Sequence, residues 1–470
     1  PLGQTVRGLL SREEALVLLQ AEFDAHYAGM NAATLGYAAS NDVDGHLALF
    51  TQTGRCAYNT HGVKTAIQDE LGNTSAYEHD ADQLFRIKLT DAAGVTQFAF
   101  DRAIGQPTRI AYADGTQAQF AYDAQGRVTA TALPGESLAD APRQYRYDDA
   151  NVPHARIAQL RFAPGAAGLA QAVAYFDGGG KEVQQRAETQ GGQFVVSGWC
   201  AANAWGEAER EYEPTFSNNL AFAVPDLTAK PHRDTFYDGR GRVVKTVNYN
   251  GGVSTAAYFP FEVVTRDAND HDASAANVAR GQFNTPHREL FDVFRYRTQV
   301  IEDLGNGATM TTRYSVGAGG EVLSVSDANG VMAKYEYDRL GNRLSIQQRD
   351  AGARRLYYNA RKLIVRTLDA NGNDIRAMID THGRITQLVS GGITLERYRY
   401  DDLAQHAFGR LAEVSYVGGS QKFIYNPTGS LVEHEYRFDG VAAPHTLRHE
   451  YDLLGREVAV QHPDGTRLAR

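Results

Sequence analysis

Cysteine is almost absent: Cys56 and Cys200 are the only two in 470 residues. So far apart, they fit neither a disulfide scaffold nor a Cys-x-x-Cys metal site. Long apolar runs are missing, which excludes a membrane-spanning helix. The start shows no signal peptide, but an opening Pro1 is what a processed product or a fragment would show, so the missing leader does not argue against export. Charge of one sign is also lacking. Lysine and arginine number 47 against 56 acids, interspersed to a net −9. No basic stripe is there to meet phosphates, so a nucleic-acid partner is not expected.

Glycine (46), tyrosine (25) and phenylalanine (20) are abundant, while methionine (4) and tryptophan (2) are scarce. That balance favours short strands joined by tight turns. A recurring signature, aromatic–Asp–x–x–Gly–Arg, organises most of the chain. Its clearest copies are Tyr122-Asp123 with Gly126-Arg127, Tyr237-Asp238 with Gly241-Arg242, and Tyr451-Asp452 with Gly455-Arg456. Tyr337-Asp338 with Gly341 has Asn342 ahead of Arg343, and Tyr425-Asn426 with Gly429 is looser. A unit that returns at intervals along a chain describes architecture, each copy building one hairpin of a larger surface.

The order of the signature has a physical logic. Tyrosine closes an incoming strand with a large ring. Aspartate accepts backbone N–H bonds two or three residues on and fixes the turn. Glycine takes a conformation forbidden to side chains. Arginine opens the outgoing strand, and a ring can stack on the arginine or ring of the next unit. Asp-Gly and Asn-Gly pairs at Asp114, Asp177, Asn250, Asn329, Asn371 and Asp464 read as tight hairpin turns with positive φ at both positions.

Residues 1–44 read as a lead-in, with an amphipathic helix over 11–28. Ser11 and Glu14 form its capping box, and Leu16, Leu19 and Phe23 lie on its apolar face. From 45 to 470 the pattern is strand, turn, strand. Two stretches, about 134–231 and 266–288, are less regular; the first holds a small-residue run from Ala163 to Ala174.

These repeats resemble the YD (Rhs-type) repeats of bacterial polymorphic toxins, of the B and C components of toxin complexes, and of teneurin ectodomains. Three stretches look like toxin-complex B components: Pro1–Arg7, Val195–Ser217 running into Thr235–Asp238, and Tyr258–Asp270. The resemblance implies a mainly β fold, a repeat sheet wound as a spiral into part of a hollow shell, with an N-terminal helix. It implies a non-enzymatic, secreted or cell-surface wall segment that encloses a toxic polypeptide and joins further shell segments of the same or a partner chain. The Asp-Pro-x-Gly-type self-cleavage core is missing, so that activity is not carried over. An adhesion module that binds glycans or proteins is the alternative, and a hydrolase or lyase on a β scaffold the third reading.

No cofactor is expected, and no catalytic residue stands out. The acidic loop of Asp267, Asn269, Asp270 and Asp272 lacks the glycine and the bidentate glutamate of an EF-hand, so a solvated loop is the simpler reading. Gly178-Gly179-Gly180-Lys181 lacks the full phosphate-loop frame. Ser197-Gly198-Trp199-Cys200 is no nucleophile elbow, and Cys200 reads as a buried small hydrophobe. Tyr335-Tyr337, Tyr357-Tyr358 and Tyr398-Tyr400 suit packed ladders better than a sugar cleft.

Overall fold

The computed structural model describes residues 9–151, 153–161, 170–189, 192–224, 230–305 and 307–469. Pro1–Arg7 and most of the Ala163–Ala174 run lie outside them; Ala170–Phe176 is a strand. The chain is mainly β. A meander of antiparallel strands forms a 14-stranded sheet from Arg55 onward and a 23-stranded sheet ending at Arg467–Ala469. One long hairpin joins them. Its arms Phe194–Ser197 and Thr215–Ser217 pair in the first sheet, and Cys200–Ala202 and Ala208–Tyr212 pair in the second. Tyr212 N–H donating to the Trp199 carbonyl (3.2 Å) bridges the two halves.

Almost every strand pairs with its sequence neighbour, so local turn chemistry sets the register. Turns alternate between two rims. One rim carries the signature turns, among them 59–63, 123–127, 203–207, 238–242, 338–342, 359–363, 380–384, 426–430 and 452–456. The opposite rim carries 69–73, 112–116, 248–252, 369–373 and 462–466.

The ribbon winds back on itself rim to rim. The Arg361 guanidinium lies 3.6 Å from the Asp69 carboxylate. A methyl group on Gly135 would meet the Pro427 ring at 2.8 Å. Arg143 donates to the Leu453 carbonyl (3.1 Å). In each case a signature turn of the later winding sits on the opposite rim of the earlier one. Filled core is sparse. The accessible surface is 27488 Å², whereas a compact monomer of this size exposes about 17,000 Å². The molecule is a single-layer spiral ribbon with both faces largely solvated.

The largest buried cluster lies where the N-terminal unit meets that ribbon. Strands Glu13–Leu19, Leu47–Thr53 and Ala38–Asn41 form a three-stranded sheet. Val17, Phe23, Tyr27, Tyr37 and Leu49 pack against Leu344, Leu356 and Tyr357. This corrects the expected helix over 11–28. Ser11 is no N-cap, residues 13–19 are strand, and the helix is Gln20–His26. Glu22, not Glu14, reaches back to the first free N–H, that of Leu19 (2.8 Å). The strand wins because it has a partner in 47–53. A bulge between Leu16 and Leu18 also frees the Val17 carbonyl to accept from Arg339 N–H (3.0 Å) on a signature turn.

The irregular stretches are excursions from the ribbon. Residues 218–224 cross one sheet face as a strap. Phe222 packs on Tyr175 and Trp199, and Gln184 donates to the Ala223 carbonyl (3.0 Å). Between 266 and 288 two short helices, Ala268–His271 and Ala275–Ala279, cover a strand connection. Buried Asp270 anchors them, accepting from Asp267 N–H and Thr285 Oγ1, both at 2.8 Å.

Candidate functional site

The signature hairpin is the element the chain multiplies. In the turn after Tyr122, Asp123 N–H donates to the Arg127 carbonyl (2.9 Å) and Gly126 N–H to the Asp123 carbonyl (3.0 Å). One Asp123 carboxylate oxygen accepts from Gln125 N–H and Arg127 N–H, both at 3.0 Å; the other accepts from Arg127 Nε (2.8 Å). Asp238 repeats this set with Arg240 and Arg242, and Asp452 with Leu454 and Arg456. At Asp338 the Asn342 amide replaces the guanidinium (2.7 Å). The aspartate therefore serves positions two and four residues on, not two and three. Gly126, Gly241, Gly341 and Gly455 all have φ between 74° and 81°, which the turn demands.

Electrostatics follows from these bonds. The Arg242 side chain, then its backbone N–H, pulls Asp238 down to about 2. Asp123 lies below the usual carboxylate range, chiefly through the Arg127 N–H.

Tyrosine and arginine couple one hairpin to the next. Arg127 lies over the Tyr147 ring at 4.1 Å, and the Tyr147 hydroxyl donates to the Val128 carbonyl (3.0 Å). Arg242 with Tyr258, and Arg384 with Tyr400, repeat the pair at 4.3 and 4.4 Å; their hydroxyls bond Val243 and Ile385. The Tyr122, Tyr237 and Tyr337 hydroxyls reach back likewise to Pro107, Ala208 and Val322. The result is a ladder of locked turns along one rim.

Comparison with known proteins fits this geometry. The RHS Repeat family model matches residues 100–137. No curated protein matches the chain in sequence. The crystal structure of TcdB2-TccC3 superposes with a TM-score of 0.86 at 16% identity, covering 99% of this chain and 28% of its own. TcdB2-TccC3-Cdc42 gives 0.85 at 15%, covering 99% and 30%. The Tc holotoxin pore of Photorhabdus luminescens, bearing a TccC3 substitution, gives 0.84 at 15% with the same coverages. The chain carries an RHS repeat over part of its length. It has the fold of these toxin-complex chains and spans less than a third of their length.

The YD ribbon contains more copies than the sequence pattern found. Asp380 makes the full set of bonds to His382 and Arg384, but Ile379 replaces the aromatic. Asp292 and Asn359 build the same turn with Arg295 and Lys362 in the glycine place, at φ 69° and 61°; the Asp80 turn, with Gln83 at φ 61°, is one residue longer and closes on Phe85. Relaxing the aromatic and the glycine while keeping Asp/Asn would have found them.

The paired-residue turns also differ from expectation. At Asp114-Gly115, Asn250-Gly251, Asn371-Gly372 and Asp464-Gly465 only the glycine has positive φ. At Asp177 the positive-φ residue is Gly180, not Gly178.

The other candidates resolve into YD-ribbon structure. Gly179 and Lys181 N–H groups are both spent on Asp177 (2.9 Å each), leaving no phosphate cradle there. Asp267 caps a helix, accepting from Asn269 and Asp270 N–H. Asp42, Asp44 and His46 draw together, but Asp42 is holding the turn through Asp44 and His46 N–H. Cys56 and Cys200 are free and half-buried rather than buried. Tyr357 packs on Tyr27, and Arg343 covers Tyr335. Among the described residues, no helix is long and apolar enough to cross a membrane.

Proposed function

We propose that this chain is a stretch of wall in a shell of the Rhs/toxin-complex kind, enclosing a toxic polypeptide before delivery. One observation carries the reading. The ribbon leaves 27488 Å² exposed, far above a filled globule, while keeping a fold shared with toxin-complex chains. A single-layer wall makes sense if its purpose is the space beside it.

In this reading the role is non-catalytic. The chemistry of the ribbon goes into holding turns: carboxylates bond amides and guanidiniums, and hydroxyls bond carbonyls. Confinement would limit folding of an enclosed chain, because compact states need volume, and would keep it from its targets. The partners are the enclosed polypeptide and further wall segments, and the setting is a secreted or surface-delivered assembly. The lead-in and the repeat wall act as separate units, the first clamping two rungs of the second.

Limited proteolysis of the assembly containing this wall tests the proposal. The enclosed chain is expected to be cut far more slowly than the same chain freed from the shell. Cleavage at equal rates would contradict enclosure.

A further inference from the structure

Tip residues of the signature turns have two fates. On the two turns beside the N-terminal unit they are covered. Leu340 packs against the N-terminal cluster, Ala360 is buried with its N–H bonded to the Leu35 carbonyl (2.7 Å), and Arg361 meets Asp69. On two earlier turns the same slot of the same rim carries a large apolar side chain in solvent. Trp205 and Phe294 occupy the slot filled by Leu340 and Arg361, and are 84% and 75% exposed. Phe259, Phe261 and Val293 lie exposed on tips between and beside them. Arg295 donates to the Pro260 carbonyl (2.9 Å), tying two of these tips side by side. Beside Trp205 opens a cleft of about 560 Å³, floored by Phe236, Tyr237 and Asp238.

Exposed aromatics repeated on neighbouring tips mark an interaction edge rather than chance exposure. The rim is continuous with one already in use: further along the ribbon, the same kind of turn seats on the opposite rim of another winding. Among the described residues, the later part of that opposite rim also carries exposed apolar side chains on its turns: Tyr249, Leu304, Val417 and Val441. Its Asp369 turn reproduces the Asp69 turn, each aspartate accepting from the asparagine amide four residues on (2.7 and 2.9 Å).

We infer that the tips around Trp205 and Phe294 form a docking edge for the opposite rim of a second copy of this chain, seated head to tail. The contact is heterologous, so each copy keeps one rim of each kind for the next. It rests on the wall reading but not on enclosure: association reads rim contacts and proteolysis reads containment, so either can fail alone.

Sedimentation of the purified chain over a concentration series tests this. Reversible association is expected, weakened at least about tenfold by Trp205→Asp with Phe294→Asp, as loss of buried aromatic anchors does. Both side chains are solvent-exposed, and an unchanged circular dichroism spectrum checks that the variant folds. Short-linker crosslinking of a Phe294→Cys copy mixed with a Val417→Cys copy is expected to give the mixed product. A chain that stays monomeric, association indifferent to the aspartates, or dominant Phe294→Cys homodimers would each overturn the proposal.

Discussion

Lys362 sits at φ 61°, in a turn slot that elsewhere belongs to glycine. A side chain in that region costs about 1 kcal/mol. Lys362→Gly is expected to stabilise the 359–363 turn by about that amount, slowing local hydrogen exchange there roughly fivefold; faster exchange would contradict the strain argument. Acid titration tests the carboxylate side of the same unit. Asp238 is pulled down to about 2, and Asp123 and Asp380 also lie low. A carboxyl whose folded value lies below its unfolded one stabilises above the unfolded value and loses that contribution as pH falls through the folded value. The turns are therefore expected to hold down to about pH 4 and fail toward pH 2, read by far-UV circular dichroism. Loss of strand signal beginning near neutrality would contradict the assignment. At this scale the sequence was legible wherever aspartate, glycine and arginine coincide. It was illegible at Gln83, Arg295 and Lys362, where Asp80, Asp292 and Asn359 hold their turns without the usual glycine.

Between elements, the coupling to test is the arginine of one hairpin on the tyrosine of the next. Arg384 lies 4.4 Å over the Tyr400 ring, and the Tyr400 hydroxyl donates to the Ile385 carbonyl (2.9 Å). Tyr400→Phe is expected to cost about 1 kcal/mol, one hydrogen bond. A double-mutant cycle of Arg384→Met with Tyr400→Leu is expected to show about 0.5–1 kcal/mol of coupling; strict additivity would mean the stacking is incidental. Elements were readable where partners are adjacent in sequence, as in the hairpins. The 13–19 segment was not. Its Glu, Ala and Leu content favours helix, and only its pairing with 47–53 and the Arg339 bond to Val17, more than 300 residues away, select the strand. The strap at 218–224 was hidden for the same reason: Tyr175, Gln184 and Trp199 recruit it across the sheet.

On the scale of the whole molecule, about three hundred residues of chain separate Asp69 from Arg361 and Gly135 from Pro427. That spacing is the length of one winding, and no local pattern in the sequence states it. Composition and repeats pointed to a β wall; the pitch and the division into seated and free rims needed coordinates. The central claim, a curved ribbon bordering open space, is tested most directly by small-angle X-ray scattering on the purified chain. A radius of gyration well above the roughly 23 Å of a compact 470-residue globule, with the pair-distance profile of an open shell, is expected. A value near that of the globule, with a single symmetric distance peak, would contradict it.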